Sequence, residues 1–388
     1  MRRVLITVFS CLLLVCFTSG LALAQAQKKE RAKFGVDQRA ASAQRVNFKP
    51  STENHRWSMV MPWSKGLLFY DIASHMADSI RLASAGRLNI RVYAAEELVP
   101  AMQSFDAVSQ GTAEVGHDWP GYWKGKNEAF VALASVPFGL DGEGYNIWLY
   151  EKGGLEMMQE LYGRYNLYAL PAGQLGQEMG LSSNRRATRM EDFKGMRIRT
   201  VGWYMDILNN MGASVSPLPG GEIFLALERG VLDAAEFSSP AMNYPLGWQD
   251  ITKYAIQPGV HQPGIQCAAF FNMDAWKKLP EDLKWIVDIS ARETQLWSYN
   301  WINGLNAEAI NRFQKEGIEF IKMDKEALIE FRKTTKKYLD ELKAKHPDVN
   351  KLLSSQEAFL DEYAVWREAR GGAAPWPYET YIKGQILE

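Results

Sequence analysis

Two arginines on one short predicted strand are well suited to hold an anion. Residues 196–200 have strand character, and Arg197 and Arg199 stand two positions apart, so both side chains would point to the same face. A guanidinium is a planar fork that matches a carboxylate with two parallel hydrogen bonds, and it stays charged when water is removed. From the strand alone two interpretations are open: ion pairs with surface acids, or a site for a small carboxylate.

Acidic side chains near other predicted strands could complete such a site. Glu236 follows an apolar run at residues 231–235, where a lone carboxylate must be solvated, paired or bound to a metal because its burial is costly. A structural salt bridge with Arg199 is the alternative. Gln177 and Glu178 are adjacent on a strand-like segment, so only one of them can face a common site.

Signatures of common enzyme classes are missing from the sequence. It contains no GxxxxGK[ST] phosphate loop, no GxGxxG, no GxSxG elbow and no HExxH. The five histidines are scattered, and His117 and His261 are predicted to be structural. Because sites assemble in space, these absences only lower the expectation of a hydrolase, a kinase or a zinc enzyme.

The elements that would position these residues alternate between strand and helix. From residue 57 to residue 116 the order is strand, helix, strand, helix, strand, which is the rhythm of an open α/β sheet. A second cycle begins after residue 150, and charged amphipathic helices occupy the C-terminal part. The chain has 388 residues with 44 Lys and Arg against 45 Asp and Glu, a balance that provides no field for nucleic acid.

The N-terminal residues are predicted to be an export signal. An apolar run at residues 4–17 behind a positive start, with small residues at 22–24, predicts a signal peptide, residues 1–24, that is cleaved on export. Residues 25–55 form a polar linker in this interpretation. Of the three cysteines only Cys267 would remain, so the mature chain has no internal disulfide and no cysteine-based zinc site.

Three stretches carry a resemblance to one family of receptors. They are residues 97–117 (ELVPAMQSFDAVSQGTAEVGH), 193–199 (FKGMRIR) and 218–237 (LPGGEIFLALERGVLDAAEF). In this order they resemble the solute receptors of the tripartite ATP-independent periplasmic (TRAP) transporters, and especially the subgroup that binds 2-oxo monocarboxylates. Residues 261–264 (HQPG) and 276–283 (WKKLPEDL) fit the same subgroup.

The resemblance implies an α/β fold in two lobes that close as a clamp, joined by crossing strands and by a long helix. Lobe I would comprise residues 56–165 and 238–270, and lobe II residues 166–237 and 271–342. The C-terminal helical segment, residues 343–388, would contact a partner in a homodimer. Such receptors bind one small organic acid in the periplasm and deliver it to a membrane permease. We therefore expect a receptor and not an enzyme, with pyruvate or lactate as typical ligands.

The same resemblance assigns roles to individual residues. The Arg of the K-G-x-x-x-R strand, here Arg199, grips the substrate carboxylate, and a metal ion bridges substrate and protein. Metal ligands are expected at Glu178, Glu236 and the backbone carbonyl of Phe237. The subgroup has Gln at the position of Glu178 and Trp at that of Phe237. Phe keeps an apolar wall but removes an indole N–H donor.

The sum of the charges expected in the site indicates which metal ion it would bind. Arg199, Glu236, one substrate carboxylate and Na⁺ sum to zero, and if ionised Glu178 joins them a divalent ion restores zero. Oxygen ligands favour Ca²⁺ over a transition metal, so the expected ion is Ca²⁺ or Na⁺, with Ca²⁺ as the first choice. The substrate contacts are expected from Arg199, Glu178, Phe237, Tyr122 and Trp63.

Two other functions stay open on the sequence. An exported enzyme could act on a similar 2-oxo acid, with Arg199 as its anchor and Glu236 as a general acid or base, although no nucleophile or redox-cofactor site accompanies them. The departures at Glu178 and Phe237 also allow an adaptor whose cleft no longer binds solute. Turnover of a bound 2-oxo acid would distinguish the enzyme from the receptor.

Overall fold

The computed structural model describes residues 49–369 and the backbone of two short strands near the C-terminus. The chain divides into two compact units, residues 1–50 and residues 51–388. In the first unit only residues 49 and 50 are described. The expected signal peptide and most of the expected linker therefore lie outside the described residues, as do residues 370–380 of the C-terminal segment.

The second unit alternates strands and helices. Its strands are β1 (His55–Val60), β2 (Leu88–Tyr93), β3 (Val115–Asp118), β4 (Leu167–Gln174), β5 (Leu181–Ser183), β6 (Arg197–Arg199), β7 (Ser214–Ser216), β8 (Ala234–Ala235), β9 (Tyr254–Gln257), β10 (Gln266–Asn272), β11 (Glu319–Lys322), β12 (Tyr381–Ile382) and β13 (Gln385–Ile386). Its α-helices are α1 (Leu68–Ala83), α2 (Ser104–Ser109), α3 (Ala129–Ala134), α4 (Gly142–Glu151), α5 (Gly154–Gly163), α6 (Gly202–Asn210), α7 (Ile223–Glu228), α8 (Pro240–Asn243), α9 (Met273–Lys278), α10 (Glu281–Lys315), α11 (Lys325–Lys345) and α12 (Pro347–Ala369).

Five strands form the first sheet, in the order β2-β1-β3-β10-β4. β1 is parallel to β2 and β3, as expected where helices α1 and α2 form the connections. β10 runs antiparallel to both of its neighbours. Helix α1 buries Ile72, Met76 and Ile80 at a spacing of four residues. The helical period predicted for this segment is confirmed, and its apolar face belongs to the core beside the sheet.

Six strands form the second sheet, in the order β11-β9-β5-β8-β6-β7. β6 is parallel to β7 and β8, and the register pairs Arg199 with Ala235. Glu236 follows Ala235 directly, so it leaves the sheet beside the end of the strand that carries Arg199. The register alone thus brings together the two charges that the sequence singled out.

Two segments outside the regular strands and helices carry the chain between the sheets. Residues 175–180 lead from β4 to β5, and residues 258–265 lead from β9 back to β10. The segments lie side by side, with the backbone N–H of Glu178 donating to the carbonyl of Gln262 at 3.0 Å. The expected α/β architecture of two sheets is confirmed, whereas the two segments that join the sheets are not regular strands.

Helix α10 is the expected long connecting helix, and its 35 residues span about 52 Å. Its buried side carries polar residues, which meet backbone groups where β4 ends. Gln295 Oε1 accepts a hydrogen bond from Gly173 N at 2.7 Å, and Ser298 Oγ accepts one from Gln174 N at 2.9 Å. Because buried backbone N–H groups need partners, these bonds fix α10 to the start of the first crossing segment.

Two strands, β4 and β9, pair in a different sheet from the one that the predicted lobe boundaries imply. The boundary after residue 165 assigns β4 to lobe II, whereas β4 pairs with β10 in the first sheet. The range 238–270 assigns β9 to lobe I, whereas β9 pairs with β5 and β11 in the second sheet. Strand partners far apart in the chain are chosen by hydrogen bonding and core packing, which local periodicity does not reveal. The rest of the lobe division stays a prediction.

Helices α11 and α12 follow β11. The apolar side of α12 joins the core beside α3, through Leu352, Leu353 and Phe359 among others. In the part of the chain that the structure describes, no helix is both long and apolar enough to cross a membrane. A role of these helices in a homodimer stays a prediction.

Gly180 stands where the first crossing segment enters the second sheet. Its φ is +109°, and a Cβ there would lie 2.1 Å from the carbonyl oxygen of Ile256. We expect Gly180→Ala to lower the free energy of unfolding by about 2 kcal/mol because of this strain, measured by urea denaturation. Gly163→Ala is the control, since nothing lies within 4 Å of that position. Equal stabilities of the two variants would contradict the argument.

Candidate functional site

Arg199 ends β6 with its side chain inside the protein, 1% exposed. Its Nε donates to the carbonyl of Leu218 at 2.9 Å, and its Nη1 donates to the backbone carbonyl and to Oε1 of Glu236, at 2.7 and 3.2 Å. Nη2 has no acceptor in the described part of the chain. One end of the guanidinium therefore keeps its donors for a ligand.

Arg197 lies at the surface instead. Its Nη2 and Nε donate to the two carboxylate oxygens of Asp233, at 2.7 and 3.1 Å. Arg197 therefore forms the ion pair with a surface acid that was one of the two interpretations, whereas Arg199 is buried beside Glu236. The two residues share a strand but differ in depth.

Three buried titratable side chains converge next to Arg199: Glu178, Glu236 and His261. One ligand atom from each lies within 4.8 Å of the others. His261 Nε2 is 2.6 Å from Glu178 Oε2, and the imidazole stacks on Tyr204 with 4.2 Å between ring centroids. Glu178 comes from the first crossing segment, His261 from the second, and Glu236 from the end of β8. The cluster thus forms where the sheets are joined.

Burial governs the protonation of this cluster. It raises the pKa of Glu178 to about 8, although the Arg199 guanidinium acts in the opposite direction. Burial and the adjacent Glu178 carboxylate raise the pKa of Glu236 to about 7. Burial lowers the pKa of His261 to about 4, so the imidazole is neutral at pH 7. A cation among these groups would favour the ionised carboxylates.

The donor set fits a metal ion. Glu236 Oε2 is buried and forms no hydrogen bond with any described residue. Two carboxylates offer the hard oxygen ligands that Ca²⁺ and Na⁺ accept, and a neutral imidazole lies at the same point. Glu178 and Glu236 were both expected as ligands from the sequence, whereas His261 was expected to be structural. Its contact with Glu178 allows it either to orient that carboxylate or to ligate.

A narrow cavity lies beside Arg199. Its other lining residues are Phe69, Trp119, Tyr122, Val201, Phe237, Gln262 and Ile265. The free space is about 10 Å³, close to the room that one water molecule needs. The walls are mostly apolar, so a ligand of few atoms would be surrounded by aromatic and aliphatic groups except at Arg199 and the polar tips.

Tyr122 brings a neutral phenol to this cavity. Burial raises its pKa to about 12, so the hydroxyl keeps its proton at pH 7. Trp63 Nε1 donates to the Tyr122 oxygen at 3.2 Å, and the Trp63 ring stacks on Phe69 with 4.0 Å between centroids. Trp63 is not among the residues that line the cavity. It contacts Tyr122 and so orients the hydroxyl, whose proton has no acceptor among the described residues.

The structure thus brings most of the expected site residues together. Arg199, Glu178, Glu236, Phe237 and Tyr122 meet around one cavity and one cluster. Of the adjacent pair of side chains on the first crossing segment, Glu178 is the one that faces the cluster. Trp63 lies behind Tyr122 and does not line the cavity. His261 and Gln262, which belong to the HQPG motif, and Trp119 were not among the predicted site residues.

The chain also matches a known protein family. The family model DctP, bacterial extracellular solute-binding protein family 7, matches residues 59–346. The chain belongs to this family. A monocarboxylate 2-oxoacid-binding periplasmic protein of Nostoc sp. is 33% identical over 313 residues, which are 81% of this chain and 86% of that protein. The expectation of a TRAP-type solute receptor is confirmed.

Solved structures of TRAP periplasmic solute-binding proteins share the fold. A TRAP periplasmic solute-binding protein of Pseudoalteromonas atlantica with bound sodium and pyruvate is 28% identical at a TM-score of 0.80, covering 83% of this chain and 98% of that one. One from Colwellia psychrerythraea with bound calcium and pyruvate is 27% identical at the same TM-score and coverage. The two-lobed fold class expected from the sequence is thus confirmed.

Proposed function

We propose that this protein is the periplasmic receptor of a TRAP transporter and binds a small 2-oxo or 2-hydroxy monocarboxylate together with Ca²⁺ or Na⁺. One observation carries the proposal. The Arg199 guanidinium lines one narrow cavity, has a free Nη2, and lies beside a buried cluster of two carboxylates and an imidazole. The ligands of the Nostoc, Pseudoalteromonas and Colwellia proteins support it.

Each polar group of the site has a partner in such a ligand. Arg199 binds the carboxylate, and a charge-assisted hydrogen bond of this kind is stronger than a neutral one. The Tyr122 hydroxyl donates to the oxygen on the second carbon, and Phe237 covers the apolar end. Glu178, Glu236 and the carbonyl of Phe237 would hold the metal ion. The ion would offset the carboxylate charges and bind ligand oxygens.

The position of the site suits a clamp. Arg199 ends β6 and Glu236 follows β8, both in the second sheet, while Tyr122 follows β3 of the first sheet. A ligand that bonds to both sides stabilises the closed arrangement, because only that arrangement offers all contacts at once. The closed receptor then delivers the ligand to the membrane subunits of the permease. The receptor functions as a homodimer, with residues 343–388 at the contact between the two copies.

The test is calorimetric titration of the exported, processed protein with pyruvate and lactate, with native mass spectrometry of the metal and acid that co-purify. We expect stoichiometric binding and a bound Ca²⁺ or Na⁺. Absence of binding to any small monocarboxylate, with either ion present, would refute the proposal. Appearance of a new product in the pyruvate sample by NMR would instead support an exported enzyme.

Tyr122→Phe is expected to weaken pyruvate binding about tenfold, because it removes one hydrogen-bond donor and leaves the ring in place. The melting temperature should stay within a few degrees of the unmodified protein. Tyr165→Phe is the control, since that hydroxyl donates to the carbonyl of Lys126 outside the cavity. Equal pyruvate affinities of the Tyr122 variant and the unmodified protein would contradict a direct contact.

A further inference from the structure

Trp119 contributes the largest side chain of the cavity wall, and its indole N–H has no partner. The residue is 5% exposed, and Nε1 is buried without a hydrogen bond to any residue that the structure describes. Neighbouring indoles differ: those of Trp63, Trp123 and Trp203 donate to Tyr122, Asp118 and Glu128. A buried donor without an acceptor is unfavourable, so a bound ligand with an acceptor oxygen would relieve it.

Glycines make room for this ring on both sides. A Cβ on Gly121 would lie 2.1 Å from Cη2 of Trp119, and a Cβ on Gly202 would lie 3.0 Å from the same atom. Gly121 follows β3 of the first sheet, whereas Gly202 begins helix α6 behind β6 of the second. The Tyr122 ring lies against the indole at 5.3 Å in an edge-to-face arrangement. The indole is therefore held in one position, between elements of both sheets.

We propose that Trp119 selects for short ligands: it donates a hydrogen bond to a ligand oxygen, and its ring forms the wall that a longer acid would have to displace. This inference rests on the proposed function. The free space beside the indole is about 10 Å³, close to the room for one water molecule, so any acid must enlarge the cavity. The glycines on either side confine the indole. A longer 2-oxo acid would have to displace more of this wall than pyruvate does.

The test compares pyruvate with 4-methyl-2-oxopentanoate by calorimetry on the unmodified protein and on Trp119→Phe and Trp119→Ala. Trp119→Phe removes the N–H and is expected to weaken pyruvate binding about tenfold. Trp119→Ala opens the wall and is expected to shift the affinity ratio toward the longer acid at least tenfold, since one methylene in a pocket already changes binding 10- to 200-fold. Trp276→Phe, a buried indole stacked on Tyr168, is the control.

The outcomes separate this inference from the proposed function. If the unmodified protein binds neither acid, the proposed function fails, and the inference with it. If the unmodified protein binds pyruvate, an unchanged pyruvate affinity in Trp119→Phe or an unchanged ratio in Trp119→Ala overturns the role of Trp119 alone. Should the alanine variant not fold, Trp119→Leu, which is smaller than indole but keeps an apolar filling, replaces it with the same expected shift.

Discussion

Replacement of Arg199 by Ala should abolish monocarboxylate binding, with a loss of affinity of at least about 100-fold, measured by calorimetry. The side chain supplies the one guanidinium of the cavity, and its Nη2 is free to bond with a carboxylate. Truncating one partner of a buried, hydrogen-bonded charge pair typically costs about 2–5 kcal/mol. Part of that cost arises because the ligand carboxylate would then be buried without a counter-charge.

The same substitution also leaves Glu236 without its cation, so a loss of binding must be separated from a loss of folding. Arg199→Lys keeps a positive charge near Glu236 but lacks the planar fork. We expect it to retain the fold and to bind pyruvate at least tenfold more weakly. Arg197→Ala is the matched control on the same strand and should bind normally. A folded Arg199→Ala protein with unchanged affinity would exclude Arg199 as the carboxylate ligand.

The pairing of Arg199 with Glu236 could be predicted because Arg199 ends a short strand and Glu236 directly follows another. Parallel strands bring their carboxyl ends to one edge of a sheet, and the register of Arg199 with Ala235 does so here. Local sequence was enough to locate the strands, and the resemblance to a family supplied the partner. The pairing of Arg199 with Glu236 could therefore be predicted without a structure.

The contact of Glu178 with His261 could not be predicted in the same way. Each residue lies in an irregular segment between the sheets, and the two segments pair through backbone hydrogen bonds that leave no periodic signal. The assignment of β4 and β9 to the wrong lobes has the same origin, since both strands border these segments. Trp119 was not a predicted site residue, because an unbonded indole N–H is visible only once its surroundings are known.

The choice between Ca²⁺ and Na⁺ depends on the charge that Glu178 carries with the ligand bound. His261 is neutral at pH 7, so the charges of Arg199, Glu178, Glu236 and the ligand carboxylate sum to −2 when both glutamates are ionised. A divalent cation cancels this charge, whereas Na⁺ leaves −1 in a site that excludes water. Without a cation, burial raises the pKa of Glu178 to about 8, so the ion must displace a proton.

Glu178→Gln removes one negative charge and keeps the size of the side chain. We expect Ca²⁺ affinity to fall by about 10- to 100-fold, because affinity for this ion follows the number of charged ligands, and we expect Na⁺ to support pyruvate binding in its place. The measurements are melting temperature and pyruvate titration after EGTA treatment, with either ion restored. Glu319→Gln, an exposed position paired with Arg186, is the control. If neither ion changes the pyruvate affinity, in the variant or in the unmodified protein, the result would contradict a role of a metal ion in the site.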